Sequence, residues 1–186
     1  EFIKMCPRLK WICTPTTGHT HIDENVLKKN KIKIISLKNE KIFLQNIKAT
    51  PEHTFGLVIS LLRNYNSVFN INKIKDWDRE QYCGYELNNR NVAIIGLGRV
   101  GFRVAKYCEA FGAKIGWYDI KKIKSKKKWM EHDNIHSLLK WGEIIILCAS
   151  HQKETRKIIG NLEIKLMKRK FFVNTSRGEL VNENHL

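Results

Sequence analysis

Val92-Ala93-Ile94-Ile95-Gly96-Leu97-Gly98-Arg99-Val100-Gly101 joins a short apolar run to a G-x-G-x-x-G hexapeptide. The hexapeptide in turn opens a helical pattern over Arg99–Phe111, with Val100, Val104, Tyr107, Cys108 and Phe111 on one side. Alone, six residues carry little information. Between a strand and a helix they have a specific physical meaning. Gly96 allows a tight turn, Gly98 has no Cβ and lets a pyrophosphate approach the backbone, and Gly101 lets helix and strand pack closely. The helix N-terminus then offers N–H groups and the positive end of its dipole to the phosphates. The following strand, Lys114–Tyr118, ends at Asp119, 18 residues past Gly101. That is the place of the acid that hydrogen-bonds an adenosine ribose, and an acid there repels a 2′-phosphate, so NAD is expected rather than NADP.

Outward from this stretch the same alternation continues. Asn134–Trp141 reads as a helix, Ile144–Ala149 as a continuous apolar strand, Lys153–Ile159 as a helix and Phe171–Asn174 as a strand. Strands apolar on both faces, separated by helices, predict a doubly wound α/β fold with a parallel sheet. On the N-terminal side, Leu9–Cys13 and Lys31–Leu37 read as strands around a helix at Val26–Lys29. Thr50-Pro51-Glu52 opens a further helix, with Thr50 expected at the N-cap and Phe55, Val58, Ile59, Leu62 and Tyr65 as its apolar stripe. Asn66–Asn91 is polar and irregular, with aromatic patches around Trp77 and Tyr82–Tyr85.

With 42% hydrophobic residues the 186-residue chain can build a core, which excludes a disordered protein. The longest apolar stretch, Ile144–Ala149, is far short of the roughly 20 residues of a membrane helix. The net charge of +16 admits two readings. One is a nucleic-acid or anionic-surface binder; the other is compositional drift, favoured by 25 Lys against 9 Arg and by abundant Ile and Asn. Six of the eight residues in Lys121–Lys128 are Lys, read either as a solvated loop or as a contact to a 2′-phosphate or nucleic acid. Five cysteines, with no C-x-x-C pair, fit a reducing, cytoplasmic setting and no metal site.

Beyond these patterns the chain resembles the D-isomer-specific 2-hydroxyacid dehydrogenases, which include the D-3-phosphoglycerate dehydrogenases. The resemblance rests on several segments. Thr16-Thr17-Gly18-His19-Thr20-His21-Ile22-Asp23 is similar to the family's substrate loop, and Ala49–Thr54 to the start of its interdomain helix. Trp77-Asp78-Arg79 and Gly84-Tyr85-Glu86-Leu87 resemble the segment before its nucleotide strand. The fingerprint Ile94–Gly101 and the second signature Val173-Asn174-Thr175-Ser176-Arg177-Gly178-Glu179-Leu180-Val181 complete the likeness.

The resemblance implies residues 1–48 as part of a smaller flavodoxin-like substrate domain and residues 49–186 as a Rossmann-type NAD-binding domain, incomplete at its C-terminus. It implies NAD as cofactor, bound by Gly96, Gly98, Arg99, Val100, Gly101, Asp119, Ala149, Ser150, Thr155, Thr175 and Ser176. Arg177 would be catalytic, holding the substrate carboxylate and C2 oxygen, and the backbone around Thr17, Gly18 and His19 would bind the other side of the carboxylate. The implied reaction interconverts a D-2-hydroxy acid and a 2-oxo acid by hydride transfer in a homodimer paired through the Pro51 helix. Phosphoglycerate, glyoxylate, hydroxypyruvate and sugar-derived acids all remain open as substrates. The family's acid–base histidine and its carboxylate partner follow the arginine signature, so a partial chain without that pair, and inactive alone, is expected. Ser150 stands where the family usually has Pro, and Lys168-Arg169-Lys170 replaces a turn that usually contains Gly. The alternative is a non-catalytic NAD(H)-sensing protein of this fold with a basic partner- or nucleic-acid-binding surface.

Overall fold

In a computed structural model of the chain the described residues are 2–19, 21–69, 80, 82–125 and 127–186. Thr20, Trp77-Asp78-Arg79 and Lys126 lie outside them. The chain divides into two compact units, Glu1–Ile47 and Lys48–Leu186.

The first unit holds α1 (Phe2–Met5), β1 (Trp11–Thr14), α2 (Glu24–Lys29), β2 (Lys33–Ser36) and α3 (Lys41–Asn46). β1 and β2 pair in parallel, Trp11 opposite Lys33 and Thr14 opposite Ser36. Asp23 starts α2 by accepting the N–H groups of Asn25 and Val26 at 3.0 and 3.1 Å. This N-cap carboxylate moves the helix start two residues ahead of the apolar pattern.

The second unit runs α4 (Ala49–Leu62), α5 (Tyr65–Phe69), β3 (Asn91–Ile95), α6 (Arg99–Ala110), β4 (Lys114–Tyr118), β5 (Met130–Glu131), α7 (Ile135–Trp141), β6 (Ile144–Leu147), α8 (Asn161–Leu166) and β7 (Phe171–Asn174). Its five strands form one parallel sheet in the order β5-β4-β3-β6-β7. Successive residues of β3 point to opposite faces, and both faces are covered. Val92 and Ile94 pack with Ile144 and Ile146 against Val58 and Leu62 of α4 and Val104 and Cys108 of α6. Ala93 and Ile95 pack with Ile145 and Leu147 against Leu138 and Leu139 of α7. Phe55 of α4 meets Tyr107 and Phe111 edge to face, with centroids 5.8 and 4.9 Å apart. β4 and β6 leave β3 on opposite sides, so the carboxyl end of β3 is the topological switch point of the sheet, where ligands of such folds bind.

Two local expectations are corrected. α4 begins at Ala49 with Lys48 at the N-cap, not Thr50. Pro51 then sits in the first turn, where its missing N–H has no intrahelical partner to lose. Lys153–Ile159 is not a helix. Only Lys153–Thr155 makes a 3₁₀ turn, because Lys157 takes a φ of +54° and Ile159 pairs with Val181.

Candidate cofactor site

The glycine turn lies where the switch point needs it. The ladder runs past the strand ends, Gly96 N–H donating to the Tyr118 carbonyl and Cys148 N–H to the Ile95 carbonyl, both at 2.8 Å. Gly96 has φ +91°, and a Cβ there would stand 2.7 Å from the N and Cα of Ala149. The loop after β6 is thus pressed onto the turn after β3. At Gly101 a Cβ would collide with the Gly96 carbonyl oxygen and crowd Ile94 Cγ2 and Cys148 Cβ at 3.1 and 3.2 Å. Gly98 is different: it is exposed, and a Cβ there would meet nothing within 4 Å. Two glycines of the motif are therefore required by protein packing, whereas Gly98 borders open space in front of a helix end.

That end carries no side-chain cap; Gly98 is the N-cap, and the helix ladder opens with Phe102 N–H donating to Gly98 C=O at 2.9 Å. First-turn N–H groups at such an end suit an anion. Arg99 and Val100, both half-buried, are the first two residues of this helix, and burial together with Arg103 holds the Arg99 guanidinium below its usual pKa. Asp119 reaches across from the end of β4. Its Oδ2 accepts Leu97 N–H and its Oδ1 accepts Lys121 N–H, each at 2.9 Å. These bonds fix the carboxylate beside the turn and leave it lone pairs for hydroxyl donors. An open space at Gly98, a helix end and a fixed carboxylate fit a dinucleotide with free ribose hydroxyls. The thiols of Cys108, buried, and Cys148, half-buried, are both pushed up to about 12 by desolvation, so neither supplies a thiolate at neutral pH.

On the other side of the switch, Ser150 is exposed at the mouth of the loop. Thr155 is 2% exposed, and its hydroxyl is spent inside that loop. It donates to the Ser150 carbonyl at 2.8 Å and accepts Gln152 N–H at 2.8 Å. It shapes the loop. The β7 end is also tied: Ser176 N–H donates to Asn174 Oδ1 at 2.9 Å, Ser176 Oγ to the Leu147 carbonyl at 3.0 Å, and Asn174 Nδ2 to the Arg177 carbonyl at 3.1 Å. Arg177 follows, exposed, with Nη1 donating to the Ser176 carbonyl at 2.9 Å. Thus Gly96–Gly101, Asp119, Ala149–Ser150 and Thr175–Arg177 stand at the carboxyl ends of four strands of one sheet.

Residues 55–186 match the model of the D-isomer specific 2-hydroxyacid dehydrogenase, NAD binding domain. The chain belongs to this family. It is 32% identical to a D-3-phosphoglycerate dehydrogenase of Methanocaldococcus jannaschii, over all of this chain and 35% of the relative. It is 30% identical to a glyoxylate reductase of Thermococcus litoralis, over all of this chain and 58% of that protein. Among solved structures it superposes on the D-lactate dehydrogenase of Aquifex aeolicus, complexed with NAD and lactic acid, with a TM-score of 0.82 and 30% identity. That superposition covers 98% of this chain and 54% of the other. The chain therefore spans about a third to three fifths of the length of these dehydrogenases. The parallel sheet covered by helices is the Rossmann-like fold of the family's NAD-binding domain.

Thr17, Gly18 and His19 belong to the first unit. There Thr16 Oγ1 donates to the Gly18 carbonyl at 2.8 Å, and Thr17 is exposed. His19 Nδ1 meets Glu24 Oε1 at 3.0 Å, a bond that holds the Glu24 carboxyl below its usual range. Two contributors escaped the sequence reading. Asn174 anchors the arginine loop; its place at the end of β7, two residues before Ser176, is an Asx-turn signal. Thr54, fully buried in α4, bonds Thr175 (2.7 Å). The signal was a lone hydroxyl between Pro51 and Val58 on the inward face.

Proposed function

We propose that the chain serves an NAD-dependent oxidoreductase that interconverts a small D-2-hydroxy acid and the matching 2-oxo acid by hydride transfer. The observation that carries this is the placement of the Asn174–Gly178 loop, with an exposed arginine, at the same sheet edge as the glycine turn and Asp119. Bound NAD supplies the hydride chemistry itself. The chain's residues bind and orient. Gly96, Gly98 and Gly101, with the N–H groups at Arg99 and Val100, cradle the pyrophosphate. Asp119 takes the ribose hydroxyls and disfavours a 2′-phosphate. Ala149, Ser150, Thr175 and Ser176 line the nicotinamide half, with Thr155 holding the Ser150 loop in shape. Arg177, tethered through one N–H to Ser176, keeps further forked donors for a carboxylate and the C2 oxygen.

Residues 1–48 form part of a substrate domain, in which the backbone of Thr17, Gly18 and His19 meets the substrate carboxylate. The names of the relatives, phosphoglycerate dehydrogenase, glyoxylate reductase and lactate dehydrogenase, support a small 2-hydroxy or 2-oxo acid as substrate. A homodimer pairing through α4, whose Leu57 and Leu61 are exposed, completes the reading, as does a cytoplasmic setting suited to five unpaired cysteines. The test uses oxamate, a non-reacting 2-oxo acid mimic, titrated into the NADH-loaded chain. Arg177→Gln is expected to weaken oxamate about tenfold or more, the worth of a charge-assisted bond, with NADH affinity unchanged. Oxamate affinity indifferent to Arg177 refutes the proposed role.

A further inference from the structure

The hydroxyls around Thr175 can be followed proton by proton. Thr54 Oγ1 lies 2.7 Å from the Thr50 carbonyl oxygen, which can only accept, so the single Thr54 hydroxyl proton is committed there. Thr54 Oγ1 also lies 2.7 Å from Thr175 Oγ1. With its own proton spent, Thr54 can only accept in that pair, and Thr175 must donate. The reverse assignment would face two bare acceptors at 2.7 Å across the Thr54–Thr50 contact, at a site where Thr54 is 0% exposed and no water competes. Next in the chain, Ser176 Oγ donates to the Leu147 carbonyl at 3.0 Å. Both hydroxyls at the end of β7 therefore have their protons committed inside the protein, and toward any further group they can only accept.

We infer that Thr54 is a positioning residue that makes the Thr175-Ser176 wall acceptor-only, and that this wall selects a ligand group bearing N–H donors: the carboxamide –NH₂ of the nicotinamide. This rests on the dinucleotide reading of the site and adds the direction of one hydrogen bond to it. A carboxamide held by its –NH₂ has its oxygen and ring orientation set with it, which is how a residue of α4 reaches the reacting ring without touching it.

The test compares NADH with the reduced 3-acetylpyridine analogue, in which a methyl replaces the –NH₂, by fluorescence titration of the chain. Wild type is expected to bind the analogue about fivefold more weakly, the worth of one hydrogen bond. Thr54→Val keeps the shape and removes the acceptor, so the Thr175 proton can turn outward; the fivefold gap is expected to close to within about twofold. Thr54→Ser is expected to restore it. Thr175→Ala, which leaves the Thr54–Thr50 bond alone, is expected to close the gap by weakening NADH. A purely structural role for Thr54 would weaken both ligands in parallel with their ratio unchanged, and that result overturns the inference. Equal wild-type affinities for the two also overturn it while leaving the dinucleotide site standing. No NADH binding by wild type overturns both.

Discussion

Gly98→Ala and Gly101→Ala change the same motif by the same methyl group and are expected to fail in opposite ways. At Gly98 the backbone has φ −74° and ψ −162°, allowed for any residue, and the new Cβ meets nothing within 4 Å. Alanine is a poorer N-cap than glycine but loses less chain entropy on folding; the two effects are each about 0.5–1 kcal/mol and oppose each other. Stability is expected to stay within about 0.5 kcal/mol of wild type. The methyl group then occupies the space a pyrophosphate needs, and NADH affinity is expected to fall about tenfold or more, at least 1.4 kcal/mol. At Gly101 the methyl group collides with the Gly96 carbonyl, which is backbone and cannot rotate away, and crowds Ile94 and Cys148. Overpacking of this kind costs about 3 kcal/mol at its upper end, and alanine's helix propensity returns about 1, leaving a net loss of about 2 kcal/mol. Urea denaturation followed by far-UV circular dichroism, paired with NADH titration, measures both quantities. The reasoning is refuted by a Gly101→Ala chain as stable as wild type, or by a Gly98→Ala chain that binds NADH normally.

Three further outcomes are expected. Arg169 sits at φ +63° in the turn between α8 and β7, a conformation that glycine adopts without the Cβ penalty, so Arg169→Gly is expected to stabilise the chain by about 0.5–1 kcal/mol in urea denaturation. Thr155→Val removes, at a buried position, the hydroxyl that bonds the Gln152 N–H and the Ser150 carbonyl; at about 1 kcal/mol for each bond it is expected to cost about 2 kcal/mol, with greater protease sensitivity in that loop. Glu143 accepts Asn91 N–H at 3.0 Å and Arg90 Nη1 at 2.7 Å, which together hold its carboxyl below the usual range. Its stabilising contribution is therefore complete above the unfolded carboxylate pKa, about 4.3, and lost as pH falls through the lower folded value. Glu143→Gln is expected to lose less stability than wild type between pH 6 and about 3, measured by urea midpoints across that range.

The central strands were legible because burial on both faces leaves an unbroken apolar run. Lys114–Tyr118 and Phe171–Asn174 are strands with the bounds their composition suggests. The glycine motif was legible because its turn, its approach and its packing each exclude a side chain for a separate reason, two of them visible here as collisions. Lys153–Ile159 misled because Ile158 and Ile159 imitate a helical face; Ile159 instead pairs with Val181, Ile158 packs against the core, and Thr155 closes the loop on itself. α3 and α8 were missed because α3 buries only Leu44 and α8 buries no residue, so neither short helix carries an apolar stripe. Thr54 was invisible as a functional residue because its partner lies 121 positions away, and only the fold brings α4 against the end of β7. Patterns within one element can be read from sequence; bonds between elements cannot.

The most direct test of the dinucleotide site is a parallel titration of the chain with NADH and NADPH, followed by nicotinamide fluorescence. With Asp119 fixed beside the glycine turn by Leu97 and Lys121, NADH is expected to bind about tenfold or more tightly than NADPH, and Asp119→Ala to erase the difference. Equal or tighter binding of NADPH by the wild-type chain, or no binding of either, contradicts the account.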